Sequence, residues 1–126
     1  MEVKDMENKE YMEYQEGMEN AKEQLTRKFY KALIHQGINL KEVDRLIIRD
    51  VGLAYRYTRI IAMKNNEVVV DTIERESRVL IGILYRQQHL IEGRTGLRIY
   101  RKDLFKKERL FPTFVFEWEI DCSNIN

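Results

Sequence analysis

The chain contains one cysteine, one proline and one tryptophan. Cys122, alone and near the C-terminus, excludes an internal disulfide framework and any CxxC-type zinc or redox pair, and so fits a reducing compartment. Pro112 and six scattered glycines leave no Pro-rich or Ser/Gly-rich run that could link two domains. No window approaches the roughly 18 uninterrupted apolar residues of a spanning helix, and MEVKDMENKEYMEYQEG has no signal-peptide core. Also missing are a Gly-rich phosphate loop, a GxSxG elbow, an HExxH pair, a helix-turn-helix, a zinc finger and an RNP-like aromatic signature. The expectation is a soluble, cytoplasmic, non-membrane protein of one domain over residues 11–126, with no cofactor and no metal. Whether residues 1–10 are ordered is left open. Such a chain also suits a phage or plasmid accessory protein.

What is present is a substantial apolar fraction, 44% of 126 residues, enough for a core without covalent staples. The net charge of +1 conceals an asymmetry, because residues 1–24 carry net −5 and the remainder net +6. That split fits either an acidic helix folded over a basic body or two surfaces facing different partners.

Tyr11, Tyr14, Met18, Ala21, Leu25, Phe29 and Ala32 or Leu33 recur at steps of three and four, the period of a helix with one buried stripe. Gln36-Gly37-Ile38 offers a left-handed C-cap followed by an apolar residue that can fold back. The first half of this helix is weaker, since Gly17 costs about 1 kcal/mol in a helix interior. The stripe suits packing on the protein's own sheet or, alternatively, a homodimer through the N-terminal helix.

Leu46–Ile48 is too short to assign by period, as a strand or as the end of a short helix from Leu40. YRYTRIIAMKNNEVVVDTI reads as a hairpin turning at Asn65-Asn66, with Lys64 facing Glu67, Met63 facing Val68 and Ile61 facing Val70. Asp71 resembles an N-cap with Glu74 closing a capping box, which predicts a second helix over Thr72–Glu92 carrying Ile73, Leu80, Leu84 and Ile91. SRVLIGILY serves equally as a buried strand. FPTFVFEWEID alternates strictly, with Phe114, Phe116, Trp118 and Ile120 on a core face and Thr113, Val115, Glu117, Glu119 and Asp121 on the other. The predicted class is α+β, a long N-terminal helix on an antiparallel sheet, with a second helix or buried strand near residues 73–91.

RTGLRIYRKDLFKKER holds seven basic residues against Asp103 and Glu108. Arg94, Arg98, Arg101, Lys102, Lys106, Lys107 and Arg109, with Phe105 able to stack on a base, form a candidate contact strip for nucleic acid or a protein partner. The competing reading is a hairpin in which Arg98, Tyr100 and Lys102 share a face and meet Glu117 and Glu119. Tyr55, Arg56, Tyr57 and Arg59 are candidates for a phosphate or nucleotide pocket, because guanidinium forks grip phosphate and tyrosines stack on bases. Glu117, Glu119 and Asp121 suggest a metal-dependent nuclease or phosphodiesterase, but alternate strand positions lie about 7 Å apart, too far to share one ion without bending. Cys122 follows Asp121, whose charge disfavours a thiolate. The sequence therefore favours a small non-enzymatic binding protein, regulatory or inhibitory, contacting nucleic acid or a protein partner through a basic face.

Overall fold

The computed structural model describes residues 3–51, 57–74, 79–107 and 112–125. Helix α1 (Val3–His35) is followed by a short 3-10 turn, the strands β1 (Arg45–Val51), β2 (Tyr57–Lys64) and β3 (Glu67–Glu74), helix α2 (Val79–Thr95), and the strands β4 (Arg98–Lys107) and β5 (Pro112–Asp121). The five strands form one antiparallel sheet in the order β3-β2-β1-β5-β4. The predicted α+β arrangement is therefore observed, and the segment near residues 79–95 is helix. No described helix is long and apolar enough to cross a membrane.

The end of α1 follows directly from its sequence. Gly37 adopts φ +78, which a side chain disfavours, and lets Ile38 N–H donate to Leu33 O (3.0 Å) and Gly37 N–H to Ile34 O (2.9 Å). Leu33 and Ile38 are then both buried in the same core. The turn at Asn65 and Asn66 has φ 53 and 64, the paired left-handed conformation of a two-residue hairpin.

One expected pairing is corrected. Lys64 faces Glu67 and Met63 faces Val68, but Ile61 faces Asp71 rather than Val70, because a bulge at Ala62/Met63 inserts one extra residue. The second helix is also shorter than predicted. Asp71 is not an N-cap: residues 71–74 complete β3, and the Asp71 carboxylate accepts from Arg59 Nε (3.0 Å) and Nη2 (2.8 Å). The run EVVVDTI is β-branched along most of its length, and its pairing with β2 outweighs a local capping pattern. Ile73 is accordingly exposed, while Leu80, Leu84 and Ile91 are buried together with Ile81 and Ile83.

Alternation along the strands separates two faces. Leu46, Ile48, Ile60, Ala62, Ile99, Trp118 and Ile120 point to one side and pack with Phe29 and Leu33 of α1 and with Leu80, Ile81, Leu84 and Ile91 of α2. Both helices therefore cover the same face. Trp118 and Phe29 are fully buried, and each such ring contributes about 2–3 kcal/mol through burial. The other face of the sheet has no helix of the described chain upon it.

Candidate functional site

Two surfaces could carry function, the uncovered face of the sheet and the projecting half of α1. On the sheet, β1 is central, and its odd positions Arg45, Ile47 and Arg49 point to the uncovered side. β5 lies on one flank of β1 and β2 on the other. Arg49 stands opposite Glu117, and its Nε donates to Glu117 Oε1 at 2.6 Å. Arg45 lies diagonal to Glu119, with Nη1 donating to Oε1 at 3.3 Å. Arg59 closes the set through Asp71, and that guanidinium holds the Asp71 carboxyl below its ordinary range. On the outer strand, Lys102, Tyr100 and Arg98 stand opposite Glu117, Glu119 and Asp121. The arginines of β1 and β2 are neighbours, with Arg49 opposite Arg59, but each turns to a carboxylate on its other side, Arg49 to Glu117 and Arg59 to Asp71, so the face is a lattice of paired groups.

This arrangement answers much of the basic strip from within the molecule. Arg98 and Lys102 lie on the uncovered face beside the acidic column of β5, as the hairpin reading expects. Arg101 points to the opposite side. Its Nε donates to Asp103 (3.0 Å), and its guanidinium carbon sits 5.1, 5.4 and 5.8 Å from the ring centres of Tyr85, Phe116 and Trp118. Three rings around one cation form a cation–π enclosure, so Arg101 closes the end of the core instead of facing solvent alone. Arg94, at the end of α2, donates to the Glu19 carboxylate of α1, and this contact lowers the Glu19 pKa. The described part of the strip is therefore divided among a helix end and two sheet faces. Phe105, Lys106 and Lys107 occupy the last positions of β4, opposite Phe114, Thr113 and Pro112 in register. Arg109 lies outside the described residues.

The second candidate cluster is also divided. Tyr57 and Arg59 share the uncovered face, with Arg59 held in its fork by Asp71. Tyr55 and Arg56 lie outside the described residues. Glu117 and Glu119 face arginines, and among the described residues no group of three His, Cys, Asp or Glu is placed to hold a metal. Cys122 is fully buried, and burial together with Asp121 and Asp44 pushes its thiol up to about 12, so a thiolate is scarce at neutral pH.

Two features were missed by reading the sequence. Arg45 and Arg49 carry the central ion pairs, yet Leu46–Ile48 taken alone leaves a strand and a helix end both open, and neither arginine stands out. The signal was the alternation in RLIIRDV of Arg, Ile and Arg with Leu and Ile. The second is the division of α1. Leu25 is half-buried and Phe29 and Leu33 are buried, whereas residues 9–21 are exposed throughout, with Tyr11 at 61%, Tyr14 at 65% and Met18 at 42%. At 1.5 Å per residue this is roughly 20 Å of helix whose apolar stripe continues past the body that buries the rest of it. No family model matches the chain, and no curated protein or solved structure matches it significantly.

Proposed function

We infer that this is a non-enzymatic binding protein that acts by contact with another protein, through the exposed half of α1. The observation that carries this reading is the run of Tyr11, Tyr14 and Met18, three large side chains at helical spacing and each more than two-fifths exposed. Aromatic and methionine side chains are enriched in the centres of protein interfaces, and helix-in-groove or helix-on-helix recognition reads such i, i+3, i+7 anchors. The distribution of charge supports a protein partner over nucleic acid. Arg94 and Arg101 have acidic partners, Arg98 and Lys102 stand opposite acidic residues, and the projecting helix is itself acidic. A phosphate backbone would be repelled by that arm.

Site-specific photo-crosslinking from a benzophenone amino acid tests the reading. Placed at Tyr14, it should capture a discrete protein adduct in cells, whereas the same group at Lys102 should not. A shift assay on single- and double-stranded DNA and RNA is expected to show no complex at physiological salt. Persistent nucleic-acid complexes, with crosslinks from Lys102 and none from Tyr14, would restore the basic face as the contact surface and end the present reading.

A further inference from the structure

We propose that the partner of the exposed arm is a second copy of this chain, its α1 laid antiparallel against the first. This rests on reading the arm as a protein-contact surface and adds the identity of what it contacts. Tyr11, Tyr14, Met18, Ala21 and Leu25 are separated by three, four, three and four residues, the alternation of a two-helix seam. Only the last of them is partly buried against the body, so the seam is open from residue 11 to residue 21. An antiparallel pair centred near Glu16 places Tyr11 over Ala21 of the second copy and Tyr14 over its Met18. Each bulky ring then faces a smaller or more pliable side chain. A parallel pair would stack Tyr11 on Tyr11 and Tyr14 on Tyr14 and would align the two helix dipoles, which repel.

The positions flanking the seam agree with this orientation. At the centre, Gln15 and Gly17 each meet their own counterpart, so no like charges oppose one another there. A Cβ built on Gly17 finds nothing within 4 Å in the single chain, and its absence lets the second backbone approach. This gives Gly17 a use that offsets its weak helix propensity. Glu13, Glu16 and Glu19 fall on the outer sides of the helix, and Glu19 is already held by Arg94 and by Lys22 at 3.6 Å.

The available area sets the strength. From the exposed fractions of Tyr11, Tyr14 and Met18, with aromatic side chains burying about 150–250 Å² each, one copy contributes roughly 300–350 Å². With Ala21 and the stems of flanking side chains, both copies together approach about 1,000 Å², the lower bound for a specific interface. The dimer is thus reversible rather than obligate. Two acidic arms also repel weakly, so the pair tightens as salt rises, the reverse of nucleic-acid binding.

Sedimentation equilibrium of the full chain over a wide concentration range, at low and high salt, tests this. The expected result is a monomer–dimer equilibrium that shifts toward dimer at high salt. Tyr14→Glu with Met18→Glu should weaken it at least about tenfold, as expected for truncated central anchors. Unchanged far-ultraviolet circular dichroism in that variant, with a Tm equal to that of the parent at dilutions where the parent is monomeric, would separate lost association from lost folding. Orientation is read from mild oxidation: a Gly17→Cys variant should link to itself, and a Tyr11→Cys variant should not. A monomer at every concentration, or preferential linking through Tyr11→Cys, overturns the proposal. If the chain is monomeric while Tyr14 still crosslinks to a different protein, the contact surface stands and the second copy is excluded as its occupant.

Discussion

The Arg49–Glu117 pair offers the sharpest test of how the uncovered face is held together. Glu117 is 9% exposed, and its carboxylate accepts from Arg49 Nε at 2.6 Å. Two unit charges about 4 Å apart interact by about 4 kcal/mol at an effective dielectric of 20, but desolvating the carboxylate consumes much of this. Replacing Arg49 with Met keeps most of the stem and leaves Glu117 beside Lys102 alone, its opposite neighbour on β4. The Arg49 side chain is about one-third exposed, so solvent screens part of the loss, and the expected cost is about 1.5–2.5 kcal/mol. In a chain of this size that corresponds to roughly 5–12 °C in Tm. The double variant Arg49→Met, Glu117→Leu removes the buried charge together with its partner and should lie within about 1 kcal/mol of the parent. Urea denaturation of the parent, both single variants and the double variant yields the coupling energy, expected at about 1–3 kcal/mol. A double variant as unstable as the sum of its two parts would mean that the pair contributes nothing as a pair, and the lattice description of this face would be wrong.

Three further outcomes follow from the same structure. Gly37→Ala should destabilise by about 1 kcal/mol, because alanine at φ +78 is strained; equilibrium unfolding reads this, and an unchanged or raised stability would argue against the left-handed cap. Cys122, with its thiol pushed up to about 12, should resist a thiol-specific reagent at pH 8 in the native state and react fully in denaturant, so rapid native labelling would contradict its burial. Asp71 and Asp121 have depressed folded-state pKa values, Asp71 through Arg59 and Asp121 through the hydrogen bonds from Ser123. Their stabilisation is fully present above the ordinary carboxylate range and is lost as pH falls through the lowered folded values. Asp71→Asn should therefore flatten the acid limb of the stability–pH profile, and an unaltered limb would refute the Arg59–Asp71 contribution.

Elements were legible where the local signal and the tertiary environment agree. The Gly37 cap, the paired asparagines of the hairpin and the alternating Phe/Trp strand each state their conformation in a few residues. The shared face of Arg98, Tyr100 and Lys102 against Glu117 and Glu119 was legible in the same alternation, whereas the register that sets Lys102 opposite Glu117 is decided by the sheet. The capping-box pattern at Asp71 and Glu74 coincides with the second half of a strand, and only pairing with β2 decides between the two. The one-residue bulge at Val69, between the Ala62–Val70 and Met63–Val68 pairs, is equally invisible to a period-two pattern, although it determines that Ile61 meets Asp71.

The sequence by itself determined that this chain has a helical stripe, a hairpin, an aromatic core strand and an acidic arm beside a basic remainder, because periodicity, turn chemistry and charge are local quantities. Tertiary structure alone decided that the stripe is buried only from Leu25 onward, that β1 is central, and that Arg101 lies against three rings on the helix-covered side of the sheet while Arg98 and Lys102 lie on the uncovered side. A stripe of constant spacing carries no mark of where its covering surface ends, and a run of positive charges carries no mark of which carboxylates the sheet will bring against it. Those are properties of strand order and helix overhang, which arise when distant segments pack.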